Sequence, residues 1–346
     1  MLAMVYKARG LGYSLFEDWK KAYEDFSEAG KILAQYGAGD DELLDNLSSQ
    51  GMVLTKMKKY KEARKAYRRC AEAYRAKYGK ESSQYQETLA RLGTVELYLG
   101  NKDEGCRLYG QAAQWLQNMV KSQLRYVNSA ERGSFWNVAM EKLWTMPFFA
   151  LQAEATDNAF TEASYNALLF SKSLLLETEK SLQKAIQTEG SPEDLEKFKN
   201  MLELKEQTSA LYRKYGADSD TLAVLNDRIQ KLDHELTVRS KSYADYTRFL
   251  EWDYQQVRKL LKDNELLVDF VDYVPQKGKT EYAAFLIRKD REYPLLLRLF
   301  TQKELDDLMP ENALDLLYGA TASEKAVKLL WDKIRPHAVE GATVYY

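Results

Sequence analysis

The sequence predicts a mainly α-helical protein: a repeat α-solenoid, a long helical stalk, and then the first part of a mixed-sheet α/β domain. Three observations predict this fold class. A helical pattern repeats through the first third of the chain, clear helix start and stop signals follow, and short extended runs replace the helical spacing near residue 266. We expect the repeats over 1–120, the stalk over 121–262 and the partial α/β domain over 263–346.

The composition excludes several classes of function. Of the 346 residues 45% are apolar and 29% are charged, and 50 Lys plus Arg nearly balance 52 Asp plus Glu, so no bulk charge favours nucleic acid or an anionic membrane as partner. Two cysteines without a C-x-x-C motif predict neither a disulfide scaffold nor a zinc site. No signal peptide or membrane-spanning run is recognisable, so we expect a cytoplasmic protein without metal or cofactor.

The first third of the chain contains a repeat. Small and aromatic residues recur at an offset of 41 residues, and a weaker third copy follows after a further 42. Small residues at the first, fourth and sixth positions allow paired helices to approach closely, and large residues fill the space between them. The aligned sets are Gly10, Tyr13, Trp19, Ala22, Phe26 and Ala29, then Gly51, Leu54, Tyr60, Ala63, Tyr67 and Cys70, then Gly93, Glu96, Lys102, Gly105, Tyr109 and Ala112.

Where the repeats approach W-x-x-L-G-x-x-Y followed by A-x-x-x-F-x-x-A, they resemble tetratricopeptide repeats, over about residues 1–120. This resemblance implies a curved solenoid whose first helices line a concave groove that binds a protein or peptide. The alternative is a spacer that packs on its own C-terminal domain. By register, the residues expected to face the groove are Lys7, Met52, Lys56, Arg91 and Tyr98.

The middle of the chain predicts long helices. One is expected over about 159–188, and Ser191, Pro192 and Asp194 start another that runs to about Tyr215. From Leu222 to Leu260 the apolar residues are spaced by threes, fours and sevens, which predicts a single helix of nearly forty residues.

After residue 263 the pattern becomes extended. Three strands are expected at 266–274, 281–288 and 293–300, the last two forming a hairpin. Thr301 and Glu304 form a capping box that starts a helix, and a second helix is expected over 323–335. The run ATVYY at 342–346 then predicts a fourth strand, reached by a crossover and therefore parallel to its neighbour.

The order of these segments resembles the opening of a CHAT domain, a caspase- and separase-like cysteine peptidase class often fused to tetratricopeptide repeats. The matching segments span about 125–346 and include YNALLFSKSLLLETEKSL, LLVDFVDYVP, YAAFLIRKDREYPLLLRLF and the run that ends in ATVYY. The resemblance implies that the catalytic His and Cys motifs would come after ATVYY. Cys70, Cys106 and His337 lack the family's surrounding pattern, so we expect no catalytic residue in this sequence.

The sequence therefore favours the partner-binding and linking region of a CHAT-type peptidase. The alternative is a non-catalytic scaffold with a degenerate CHAT-like domain. Arg68 and Arg69 with nearby tyrosines are interpreted as a solvated helix face rather than a nucleic-acid stripe. The heptad seam can be satisfied within one chain or between chains, so the oligomeric state stays open.

Overall fold

The computed structural model describes residues 1–35, 40–124, 142–176, 186, 188, 191–215, 220–239, 252–276, 279–308 and 320–346. These residues are mainly helical and include one small mixed sheet, which confirms the general fold class. The chain divides into two compact units. The first contains Met1–Trp115 with Gln152–Ala155, and the second contains Leu116–Leu151 with Thr156–Tyr346.

The first unit is built from consecutive helices, the last of which continues into the second unit. The helices are α1 Leu2–Leu15, α2 Trp19–Gln35, α3 Asp40–Lys56, α4 Tyr60–Tyr78, α5 Ser83–Tyr98 and α6 Lys102–Leu124. Each of the first four packs against the helix that follows it. The core between them consists largely of the alanines, glycines and aromatic residues of the repeat, such as Ala22, Phe26, Ala63 and Tyr67, all at most 2% exposed.

The turn within each helix pair has the same backbone in all three copies. Glu17 and Lys58 share a repeat position and both have a φ of 59°, and Gly100 at the next equivalent position has a φ of 84°. Residues with side chains seldom adopt positive φ, so this agreement shows that the sequence repeat is also a structural repeat. In each turn, the residue after the positive-φ residue donates its backbone N–H to the carbonyl oxygen five residues earlier. The donors and acceptors are Asp18 to Tyr13 (2.9 Å), Lys59 to Leu54 (2.8 Å) and Asn101 to Glu96 (2.9 Å).

Close helix contacts explain the small residue at the first repeat position. A Cβ atom added to Gly51 would lie 2.8 Å from Cε1 of Tyr67. One added to Gly93 would lie 2.8 Å from the backbone nitrogen of Tyr109 on α6. The predicted close approach of paired helices is confirmed at both positions.

The second unit contains further helices and the sheet. The helices are α7 Met146–Gln152, α8 Ala159–Leu176, α9 Pro192–Tyr215, α10 Asp220–Arg239, α11 Tyr254–Leu260, α12 Gln302–Asp306 and α13 Ala320–Trp331. The predicted start of α9 is confirmed, because the Asp194 N–H donates to Ser191 Oγ at 3.1 Å and the Ser191 N–H donates back to Asp194. Residues 177–185 and 187 of the predicted 159–188 helix lie outside the described residues.

The single helix predicted over 222–260 is wrong. The chain is not helical at Trp252 and Asp253, and the Asp253 side chain accepts from the Gln256 N–H in a capping box that begins α11. This cap satisfies the free N–H groups of a new helix, so it separates α11 from α10. Residues 240–251 of the predicted helix lie outside the described residues.

The four strands form one mixed sheet in the order β3-β2-β1-β4. The strands are β1 Glu265–Gln276, β2 Lys279–Ile287, β3 Leu295–Thr301 and β4 Thr343–Tyr345. β2 pairs antiparallel with both β1 and β3, and β4 pairs parallel with β1, so the hairpin and the parallel fourth strand are confirmed. The Thr301–Glu304 capping box is also confirmed.

The end of the last helix differs from its prediction. α13 stops at Trp331, four residues before the expected Arg335, and Pro336 lies in a short 3₁₀ turn. Ile334 is 1% exposed in the apolar cluster on one face of the sheet. The chain leaves the helix early because Ile334 reaches that cluster. Among the described helices none is long and apolar enough to cross a membrane.

Candidate functional site

A polar pocket of about 250 Å³ lies between α3 and α5, the first helices of the second and third repeats. Helix α4 contributes Tyr74 to its wall. Carboxylate, guanidinium, amide and hydroxyl groups all line the pocket, so it can both donate hydrogen bonds to a ligand and accept them. The lining residues are Asp45, Ser48, Ser49, Tyr74, Gln84, Glu87, Thr88 and Arg91.

Arg91 joins the two helices at this pocket. Its Nη1 donates to Ser48 Oγ on α3 at 3.0 Å, and its Nη2 donates to Glu87 Oε1 one turn earlier on α5 at 2.9 Å. The arginine is half-buried, so these bonds hold the guanidinium group at the pocket wall while part of it stays accessible. A planar guanidinium with fixed orientation suits recognition of a carboxylate or a peptide carbonyl.

Tyr74 is also held in place. Its hydroxyl donates to Asp45 Oδ1 at 2.9 Å, and burial together with this carboxylate raises the pKa of Tyr74. The phenol is therefore neutral at physiological pH. The carboxylate of Asp45 has further lone pairs, so it can accept a hydrogen bond from a ligand as well.

The sequence-predicted residues Lys7, Met52, Lys56, Arg91 and Tyr98 occupy different surroundings. Only Arg91 lines the pocket. Lys7 is half-buried on α1, and Lys56 is exposed in the last turn of α3. Met52 packs against the apolar cluster beside α2, and the Tyr98 ring stacks on Tyr60 with centroids 4.9 Å apart.

The remaining pocket residues were not singled out from the sequence, although the repeat register contains the signal. Adding 42 to Asp45 and Ser49 gives Glu87 and Arg91. The pocket is thus lined by two repeat-equivalent pairs of polar residues on neighbouring first helices.

A second polar pocket, of about 580 Å³, surrounds the end of α5 and the start of α6. Its central group is Glu96, which is 0% exposed. Glu96 accepts from Arg68 Nη2 at 2.8 Å and from Asn101 Nδ2 at 2.6 Å, and Arg64 lies 3.6 Å away. Arg68 and Arg69 are both exposed on α4, as predicted for a solvated helix face, and Arg68 in addition neutralises a buried acid.

The two cysteines are poorly suited to nucleophilic catalysis. Both are buried, and burial raises the pKa of Cys70 and of Cys106 to about 11. A thiol with such a pKa is almost fully protonated at pH 7, whereas the thiolate is the nucleophile. Burial and the nearby Arg291 and Arg288 lower the pKa of His337, so its imidazole is neutral at that pH.

In the second unit, α8 is attached to one face of the sheet. Lys172 Nζ on α8 donates to the Asp269 carboxylate on β1. The ring of Tyr165, which is 0% exposed, lies 5.2 Å from that of Phe285 on β2. Burial, with Asp269 close by, raises the pKa of Tyr165.

Helix α11 is joined to both α8 and the sheet. Asn166 on α8 accepts from the Tyr254 N–H at 2.7 Å, and the Tyr254 hydroxyl donates to the carbonyl of Arg291 in the β2–β3 turn at 2.9 Å. Burial raises the pKa of Tyr254 to about 12. These bonds connect helices of the predicted stalk to the strands directly.

Neither the known protein families nor the curated proteins include a recognisable relative of this chain. No known protein family matches the chain. No curated protein has significant sequence similarity to it.

Proposed function

We propose that this chain is the partner-binding and linking region of a CHAT-type cysteine peptidase. Helices α1–α6 form a tetratricopeptide-type solenoid that binds a protein or peptide, and the following helices pass that event to the CHAT-like sheet. The chain itself supplies no catalytic residue in this proposal. A cytoplasmic location is supported by its two free thiols, which are typical of a reducing compartment.

The solenoid is supported by the repeated backbone of the three turns. The left-handed residues Glu17, Lys58 and Gly100 follow the same offsets of 41 and 42 as the sequence repeat. Successive helices with the same turn stack with the same geometry, and such stacks place their first helices side by side. Arg91 and Ser48 bridge two of these first helices.

The single observation that carries the binding proposal is the pocket at this bridge. A peptide lying across α3 and α5 would meet the guanidinium of Arg91 and the carboxylates of Asp45 and Glu87. The peptide backbone offers the matching carbonyl and N–H groups. We therefore expect extended peptides whose carbonyl groups accept from Arg91 and whose N–H groups or basic side chains donate to Asp45 and Glu87.

The linking role is supported by the contacts of α8. Its ion pair to Asp269 and its bond to Tyr254 attach one helix to both β1 and α11. A shift of α8 along its axis would break these bonds together. A ligand whose binding displaces α8 would therefore also change the contacts of α8 with the sheet.

Selection from a bead-displayed library of random twelve-residue peptides tests the binding proposal. The full chain is compared with Arg91→Glu, which replaces the one cation among the described residues of the pocket lining by an anion. Arg107→Glu is the matched control, because it also removes an ion pair one turn earlier on its helix, to Glu104, but does not line the pocket. We expect selected peptides to lose at least about tenfold in affinity with Arg91→Glu only. Equal binding by all three proteins would contradict the proposal.

The scaffold alternative shares one observation with the leading proposal. Both thiols have a pKa near 11, so the described residues contain no activated cysteine. A scaffold would bind the same peptides, but binding would leave the α8–sheet contacts unchanged. Hydrogen exchange in α8 and β1 therefore separates the two candidates.

A further inference from the structure

The outward face of α1 is an apolar stripe. Its large side chains are between 51% and 86% exposed, and two small residues lie between them. With 3.6 residues per turn, the stripe covers about 140° of the helix circumference and includes no charged residue. The residues of this α1 stripe are Met4, Val5, Ala8, Leu11, Gly12, Leu15 and Phe16.

Part of the equivalent face of α3, the first helix of the second repeat, is buried against another helix. Val5 and Gly12 correspond at the 41-residue offset to Asn46 and Val53 on α3, which are 1% and 0% exposed. Helix α2 covers both of them: Asn46 Nδ2 donates to the Phe26 carbonyl at 2.8 Å, and Val53 packs against the Phe26 cluster. Another helix therefore covers this face of α3 at the positions of Asn46 and Val53, whereas Asp45 and Ser49, the equivalents of Met4 and Ala8, line the polar pocket.

The size of the α1 stripe matches a specific interface. Taking roughly 150–200 Å² for each fully exposed large apolar residue, its five large side chains expose on the order of 600 Å². That area lies at the upper end of the patches found on monomers, roughly 300–600 Å². Two such faces in contact would bury about 1,200 Å², above the roughly 1,000 Å² that a specific interface needs.

The α1 stripe is also complementary to itself. When two copies of α1 cross antiparallel about a two-fold axis near residue 10, small residues meet at the crossing and large ones meet on either side. Small residues at a crossing allow the helix axes to approach to about 8 Å. The absence of charge on the stripe means that neither copy buries an unpaired ion. The facing pairs are Met4 with Phe16, Val5 with Leu15, and Ala8 with Gly12, and Leu11 faces Arg9 at the margin of the stripe.

We propose that a second copy of this chain covers the α1 stripe and forms a symmetric dimer through antiparallel α1 helices. A two-fold contact uses each pair twice, so the Val5–Leu15 contact occurs on both sides of the axis. Arg9 at the margin of the stripe already pairs with Asp25 of its own chain at 2.7 Å, so it does not oppose this contact electrostatically.

Sedimentation equilibrium of the full chain tests the dimer directly. Between about 1 and 100 µM, the fitted mass should rise from 40.0 kDa toward twice that value, since an interface of this size supports an affinity on the order of micromolar. Val5→Glu should weaken association at least about 100-fold, because each dimer would bury two carboxylates. Val224→Glu on α10 is the matched control, since Val224 is 60% exposed and Val5 is 56% exposed.

Charge pairing then tests the antiparallel register. Val5→Glu mixed with Leu15→Lys should restore a heterodimer, because the register places residue 5 of one copy against residue 15 of the other. Each variant alone should stay monomeric, with unchanged circular dichroism showing that it folds. A wild-type mass that stays at 40.0 kDa at about 100 µM would overturn the proposal. A helix of another protein would then be the expected partner of the α1 stripe. Dimers that persist in Val5→Glu would overturn the proposal equally.

Discussion

Replacing Gly93 with alanine tests whether close helix contacts hold the repeats together. The new Cβ would lie 2.8 Å from the backbone nitrogen of Tyr109 and 3.0 Å from the carbonyl oxygen of Gly105. Both atoms belong to the backbone of α6, so α5 and α6 must separate to admit the methyl group. Such overpacking costs about 1–3 kcal/mol, and it is partly offset by about 1 kcal/mol from the better helix propensity of alanine.

We therefore expect Gly93→Ala to lower the free energy of unfolding by up to about 2 kcal/mol, which is up to roughly 8 °C in melting temperature. Gly12→Ala is the control, because a Cβ at Gly12 meets no atom within 4 Å. That variant should gain about 0.5–1 kcal/mol. Melting followed by circular dichroism, at a concentration where the chain is monomeric, measures both. An equal stabilisation by both variants would refute the close approach of α5 and α6.

Two further predictions follow from buried polar groups. Glu96→Ala should cost about 2–3 kcal/mol in urea unfolding, because it removes the charged acceptor of Arg68 and Asn101 and also leaves a cavity. Glu96→Leu removes the same acceptor but fills the space, as Leu54 does at the equivalent repeat position, so it should cost about 1 kcal/mol less. Equal losses would contradict this account. Cys70 and Cys106, each with a pKa of about 11 against an ordinary 9.0, should react with a disulfide reagent at pH 8 at least about tenfold more slowly in the folded chain than in urea. A reaction rate that does not change on unfolding would contradict the burial of these thiols. Their protonated form should also contribute stability that is complete below pH 9 and declines as the pH rises through 11.

Local signals in the sequence were sufficient for most element boundaries. Ser191 with Asp194, and Thr301 with Glu304, place their capping side chains within four residues of each other, so the helix starts follow from short-range chemistry. The strands were predictable because short apolar runs bounded by turn residues are typical of buried β-strands. The parallel pairing of β4 followed from the helix that precedes it.

The broken stalk helix shows the limit of periodicity. Leu250, Val257 and Leu260 continue the heptad spacing of α10, so the seam looks continuous although a new helix begins at Tyr254. The Asp253-x-x-Gln256 capping box was readable in the sequence, but it lies inside an apolar pattern that also fits one helix. Spacing alone cannot decide between these two readings.

The pocket between α3 and α5 could be predicted only in part, because its side-chain contacts join residues that are far apart in the sequence. The repeat register identifies which positions belong to first helices, but side-chain pairing depends on distances between helices. Arg91 bonds Ser48, forty-three residues away, and no local rule gives that partner. Glu96 likewise occupies a position where the repeat expects a large apolar residue, and only its arginine and asparagine partners explain the carboxylate.

Hydrogen exchange of the full chain tests the central claim, coupling between the pocket and the sheet, most directly. A peptide selected on the wild-type chain is added, and exchange is followed in Ala159–Leu176 and Glu265–Gln276. The account predicts changed protection in both segments, absent in Arg91→Glu and retained in Arg107→Glu. A peptide that protects only α3 and α5 while α8 and β1 stay unchanged would contradict the account.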